Sequence, residues 1–260
     1  MSLLWRIIAR KTLKGGEPLI MSPHTVAAFD ADLKALADMI GEMGSRGGDL
    51  LADATRALVD RDIQLAQAVI AADRQIDELQ HRIEEAAAQT IARRQPVAVD
   101  LRQIISTMRI ANDLERVGDL AKNVAKRVIA IGDQPSPVNV TSGLSTLSAR
   151  VNEQLAGVLR AYRDRDEAAA LNVWRADGAI DALFTSLFRE LLTYMMEDPR
   201  SIGFCTHLLF CAKNLERVGD HATNIAETTH YVITGHTLTA ERPKADESSA
   251  IDPNLRPSGV

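Results

Sequence analysis

A chain of 260 residues with 46% apolar residues can bury a substantial core, and with aromatics at only 4% that core is built from Ala, Leu, Ile, Val and Met, the palette of helix bundles. A formal net charge of −5 leaves no broad positive field for a phosphate backbone, so nucleic acid is not an expected partner. No run of 18 apolar residues occurs, so no transmembrane helix is expected.

Residues 1–22 read as a mobile N-terminal extension. Leu4, Ile7 and Ile8 share a side with Arg6, Arg10, Lys11 and Lys14 nearby, so a basic membrane-touching helix is one alternative and an upstream start read in place of Met21 is another. An export signal is disfavoured, because no small-residue cleavage site follows a proper apolar core.

From residue 23 onward the apolar period is helical, with no convincing strand alternation. The spacing predicts helices over 24–60, bent near the glycines of "GEMGSRGG", over 63–94, and over 97–131 after the break at Pro96. Beyond the "GDQPSP" run the plan repeats, with helices over 141–164, 166–197 and 199–233. The predicted units are 23–133 and 140–236, and the polar, proline-bearing segment 237–260 reads as a disordered tail. Cys205 and Cys211, about 240° apart round a helix, neither pair nor form a zinc motif and read as reduced core residues of a cytoplasmic protein.

Duplication is the strongest signal. The hexapeptide "LERVGD" at Leu114 to Asp119 returns unchanged at Leu215 to Asp220, an offset of 101, and "ADRQIDEL" from Ala72 is echoed by "ADGAIDAL" from Ala176 at an offset of 104. The expected fold is therefore all-α: two tandem three-helix bundles related by internal duplication, in an elongated molecule.

In the third predicted helix Ile110, Leu114, Val117, Ala121, Val124, Val128 and Ile131 form an apolar stripe, and Asn112, Glu115, Asp119 and Asn123 lie nearly opposite. The second copy keeps the division, with Lys213, Glu216, Asp220 and Asn224 on the polar side. Asp73 with Asp77, and Asp177 with Asp181, add a pair of acids one turn apart on the preceding helix of each unit. These pairs are expected away from the core, as two acidic surfaces.

Two readings of those acids stand open. Arg109 with Asp113 and Arg116 with Asp119 have the spacing of ordinary helix salt bridges. Alternatively, like charges one turn apart repel unless something positive compensates, and carboxylates with amide oxygens beside them suit magnesium, calcium, manganese or iron. Gly118 and Gly219 interrupt helix interiors, where glycine costs about 1 kcal/mol against alanine. Either a neighbouring helix or a ligand approaches closely there, or duplication has copied an accident. Glu78 and His81 have the Glu-x-x-His spacing of di-iron bundles but no second copy, so His81 reads as a surface or ion-pair residue. His221 replaces Leu120 of the first copy, so the two sites need not match. No phosphate loop, nucleophile elbow or catalytic Cys/His pair occurs, and no enzyme is expected.

With its repeated acid-x-x-x-Asp pattern and the segment "QPVAVDLRQIISTMRIANDLERVGDLAKN" from Gln95, the chain resembles the PhoU family of phosphate-signalling regulators from about His24 to Ile233. The resemblance places the family's signature on Asp73, Asp77, Glu115, Asp119, Asp177, Asp181, Glu216 and Asp220, with Asn112, Asn123 and Asn224 beside them as additional metal ligands. It implies a cytoplasmic, often dimeric, negative regulator of phosphate uptake and phosphate-starvation signalling. Such a protein is an adaptor between the ATPase subunit (PstB-like) of the high-affinity phosphate ABC transporter and a sensor histidine kinase (PhoR-like), touching the membrane only through its partners. Family members are associated with iron, zinc, magnesium or manganese. The alternatives are a metal-binding or storage protein and a di-iron carboxylate bundle.

Overall fold

A computed structural model describes residues 23–132, 134, 141–240 and 242. The readings of residues 1–22, and most of the tail, lie outside the described residues. The first helix, α1 (Pro23–Asp60), runs on through the glycines where a bend was expected. It stops because Arg61 takes a left-handed φ of 56°, and Asp62 then caps α2 (Ile63–Ala72), its carboxylate accepting from the Leu65 N–H at 2.9 Å. The second unit repeats the device. α5 (Ser142–Asp164) ends at Arg165, φ 52°, and Asp166 accepts from the Ala169 N–H at 3.0 Å to open α6 (Glu167–Arg175). Asp-Arg-Asp occurs at both places, residues 60–62 and 164–166. In each, an aspartate cap stabilises by about 1 kcal/mol, which offsets the left-handed arginine.

The helices expected over 63–94 and 166–197 are each divided. α3 (Arg74–Arg94) follows α2 across Asp73, and α7 (Asp177–Glu197) follows α6 across Ala176. At both points the backbone tightens, the Ile76 N–H donating to the Asp73 carbonyl at 2.8 Å and the Ala179 N–H to the Ala176 carbonyl at 3.1 Å. Three-residue hydrogen bonds of this kind overwind a helix locally and re-aim its next turns. Here they fall on Asp73, the first acid of one predicted pair, and on Ala176, the residue just before Asp177, the first acid of the other.

The closing helices, α4 (Val99–Ile131) and α8 (Ile202–Thr234), begin later than the expected 97 and 199. Gln95 and Ala98 both have positive φ before α4, and a 3₁₀ turn at Pro199–Ser201 precedes α8.

Each unit is a three-helix bundle, α1 with α2/α3 and α4, then α5 with α6/α7 and α8, and among the described residues there is no strand. The units are fused, because α1 packs on α5 and α4 packs on α8. A single apolar cluster runs through both, from Ile40, Leu51, Leu114 and Val117 to Val151, Leu155, Leu215 and Val218. Cys205 and Cys211 are buried free thiols within it, and burial pushes the Cys211 thiol up to about 12.

Candidate functional site

Close approach accounts for the two helix-interior glycines. At Gly118 a Cβ would lie 3.1 Å from Asp73 Oδ1 and 3.3 Å from the Ile76 side chain. Glycine therefore lets the α2–α3 break press onto α4, and Asp73 is left only 3% exposed. Gly219 plays the same part, its Cβ position being 3.1 Å from Ile180 and 3.3 Å from Gln154 Oε1.

This overturns the expectation of two acidic surfaces. Asp73, Asp177 and Asp181 are buried where the divided helices press against α4 and α8, and Glu216, on α8 itself, is buried as well. The polar face away from the core holds for Asn112 and Asn123, which are exposed, while Asp77, Glu115, Asp119, Asp220 and Asn224 are half-buried.

The positive charge that such acids require is supplied by side chains. In the first centre the Lys122 ammonium lies 2.5 Å from Asp73 Oδ2 and 3.1 Å from Asp119 Oδ1. Arg116 adds contacts of 3.3 Å to Glu115 and to Asp119, the second being one of the helix pairs predicted. Burial raises Asp73 above the usual aspartate value against the pull of Lys122. Burial and then the Asp119 charge raise Glu115, while its bond to Asp73 holds the Lys122 proton far above the ordinary lysine value.

The second centre solves the problem differently. Thr223 stands where Lys122 stands in the first repeat, and its hydroxyl donates to Asp177 Oδ1 at 2.8 Å while accepting from Gln154 Nε2 at 3.2 Å. The cation comes instead from beyond α8. Arg242 donates from Nε and Nη2 to both Asp177 oxygens at 2.8 and 3.0 Å, and from Nη2 to Asp220 Oδ1 at 2.6 Å. The reading of 237–260 as a disordered tail is thus corrected for residues 237–240, which are placed, and for Arg242, 17% exposed and held by two acids. Lys213 lies 2.9 Å from Glu216 Oε1 and 4.9 Å over the Phe184 ring. Glu216 Oε2 is buried without a hydrogen-bond partner, and burial, then the Asp220 and Asp181 charges, raise this carboxyl.

As arranged, neither centre fits a metal ion. Lys122 bridges Asp73 and Asp119, Arg242 bridges Asp177 and Asp220, and among the described residues no three His, Cys, Asp or Glu side chains converge on a metal position. His81 is 78% exposed at 3.9 Å from Glu84, a surface ion pair and not half of a di-iron motif.

His221 does not join the second acidic centre. Its Nδ1 meets Asp113 Oδ1 of the other repeat at 2.9 Å, so Asp113 pairs here and not with Arg109, and Asn224 donates to the same oxygen at 3.4 Å. Farther along the seam Arg127 lies 3.4 Å from His207 and 4.2 Å over the Phe210 ring. The two contacts advance along α4 while retreating along α8, so the helices are antiparallel and the two "LERVGD" copies lie alongside each other. Lys122, Thr223 and Arg242 escaped sequence reasoning. The change from Lys to Thr was visible within the aligned repeats, but nothing in an aperiodic tail pointed to Arg242.

These features define a class: a duplicated all-α protein whose repeats each enclose an acidic centre neutralised by a basic side chain. A family model described as the PhoU domain matches residues 40–128 and 144–229, and the chain belongs to the PhoU family. Over 228 residues it is 53% identical to the phosphate-specific transport system accessory protein PhoU homolog of Rhizobium meliloti, covering 88% of this chain and 96% of that one. The Caulobacter vibrioides homolog is 46% identical over 226 residues, covering 87% and 98%. The crystal structure of PhoU from Pseudomonas aeruginosa superposes with a TM-score of 0.77 at 37% identity, covering 80% of this chain and all of that one (100%). The phosphate transport system regulatory protein PhoU from Streptococcus pneumoniae gives 0.75 at 29% identity, covering 82% and 100%.

Proposed function

We propose that this chain is the accessory regulator of a phosphate-specific transport system, restraining uptake and starvation signalling when phosphate is plentiful. Alignment at 53% identity, over 88% of this chain, with a relative named as a phosphate-specific transport system accessory protein is the observation that carries the reading. The finer proposal is an adaptor that holds the ATPase subunit of the transporter and a sensor histidine kinase. Supporting it, no helix among the described residues is long and apolar enough to cross a membrane, so contact with the transporter would be made through its non-membrane parts. The seam of α4 and α8 also exposes Ile105 beside Arg109 and, farther along, Phe210 beside Lys126 and Arg127, two mixed apolar and charged patches of the kind that dock partners.

Deleting the gene tests the coarse role. Phosphate-starvation genes should be derepressed in phosphate-rich medium, and unchanged expression would overturn it. Affinity capture from cells at high and low phosphate tests the adaptor, which requires both a transporter ATPase and a histidine kinase among the captured proteins.

A further inference from the structure

The seam of α4 and α8 carries a cleft toward each end, and the duplication makes the two comparable. Shifted by the repeat offset of 101, Arg109, Asp113 and Thr228 of one cleft correspond to Phe210, Asn214 and Arg127 of the other. The first cleft also contains Glu84, so it holds two carboxylates and one cation. In the second, Lys126 and Arg127 are the only charged residues among the described ones lining it, beside Asn123, Asn214 and Phe210. Where one cleft has an acid the other has an amide, and where one has a hydroxyl the other has a guanidinium.

Arg127 is half-buried and held in place. Its guanidinium lies 4.2 Å over the Phe210 ring, itself 49% exposed, and Nη1 donates to His207 Nδ1 at 3.4 Å. Burial and then the Arg127 charge lower His207 below the ordinary histidine value, which keeps that ring neutral and an acceptor. Neither Arg127 nor Lys126 has a carboxylate partner among the described residues, although the chain carries a formal net charge of −5. Arg127 thus spends one of its N–H donors on His207. The rest, with the Lys126 ammonium and the two carboxamides, line a cleft of about 460 Å³, a volume in the range of small-molecule sites.

We propose that this cleft binds a phosphate-bearing anion, with Arg127 and Lys126 supplying the counter-charge and Asn123 and Asn214 donating through their amides. Charge selects the class. A phosphate group carries about −1.5 to −2 at pH 7 and at least three acceptor oxygens, which matches two cations and two amide donors. A single carboxylate would leave one cation unmatched. The exposed part of the Phe210 ring offers a surface for a planar group, so the anion is either free phosphate or the phosphate of a nucleotide. The equivalent cleft, with its two carboxylates, repels the same ligand. The site stands whether or not this patch docks a partner, and it is tested on the purified chain alone.

Inorganic phosphate, adenosine monophosphate and acetate are titrated separately into the isotope-labelled full chain, with backbone and side-chain amide shifts followed by NMR. Phosphate should give saturable shifts at Lys126, Arg127, Phe210 and Asn214, and none at Arg109, Asp113 and Thr228. Affinity should fall about tenfold in Arg127→Gln and in Lys126→Gln, each of which removes one charge-assisted contact. Lys126 is exposed, so its variant decides the matter even if the Arg127 variant fails to fold. Adenosine monophosphate binding about tenfold tighter than phosphate, with the advantage lost in Phe210→Ala, assigns a nucleotide. Binding no tighter than phosphate assigns the free anion. Absence of saturation, an affinity unaltered in Lys126→Gln, shifts centred on Asp73 and Asp119 instead, or acetate bound as tightly as phosphate overturns the site.

Discussion

Asp113 of α4 and His221 of α8 meet across the two repeats with Oδ1 and Nδ1 2.9 Å apart, side chains 13% and 18% exposed. The first repeat offers no counterpart, since Leu120 stands where His221 stands in the second, so the pair pins one side of the seam only. Replacing His221 with leucine leaves Asp113 with the Asn224 amide at 3.4 Å and should cost about 1–3 kcal/mol in urea unfolding. Combined with Asp113→Asn, the loss should fall short of the sum of the single changes by about 1 kcal/mol. Additive losses would show that the contact carries no coupling between the repeats.

Lys122 neutralises a buried carboxylate, so its removal should be costly in a particular way. Breaking a buried pair from one side costs about 3–5 kcal/mol, and with Lys122 26% exposed about 2–3 kcal/mol is expected for Lys122→Met. Asp73→Asn in the same chain should recover most of that loss, since the amide has no charge to strand. A double variant as unstable as Lys122→Met, by denaturant midpoint, would place the cost in packing and not in charge.

Glycines in α1 and α4 should respond in opposite directions. Around Gly41 nothing lies within 4 Å of a Cβ, so alanine there should gain up to about 1 kcal/mol from helix propensity. At Gly118 the same gain meets Asp73 Oδ1 at 3.1 Å and Ile76 at 3.3 Å, and overpacking of about 1–3 kcal/mol should leave a net loss. Thermal unfolding of the two alanine variants decides it, and a stabilised Gly118→Ala would remove close approach as the reason for that glycine.

A divalent ion would have to compete with the built-in cations. Lys122→Ala frees Asp73 and Asp119, so its manganese affinity should exceed that of wild type by about tenfold, measured by electron paramagnetic resonance where circular dichroism shows the variant folded. Equal affinity in both would mean that a metal engages the acids without displacing the ammonium.

The helical class, the duplication and the division of the chain at Pro96 and Pro199 were legible because periodicity and proline act locally. The acid pairs were legible as a repeated pattern, yet their burial was not. Helical phase assigns a residue to a face of its own helix, whereas the tightening at Asp73 and Ala176 and the absent Cβ at Gly118 act between helices. Arg242 was the least accessible feature of all. Its partner Asp177 lies 65 residues earlier, and a contact of that range leaves no trace in a segment without period.

Glu216 should give the protein a distinctive pH response. Its carboxyl is raised by burial first and then by the Asp220 and Asp181 charges, so the folded chain holds this proton more tightly than the unfolded chain does. Stability from this group is therefore fully present below the unfolded glutamate value of about 4.3 and is lost as pH rises through the higher folded value. Glu216→Gln keeps an acceptor for Lys213, 2.9 Å away in wild type, but cannot titrate. The variant should gain stability relative to wild type as pH climbs from about 4.3, and the difference should level off once the folded carboxyl is ionised. Urea midpoints of both proteins from acid to neutral pH test this, and a difference independent of pH would show that Glu216 titrates alike in the folded and unfolded chain.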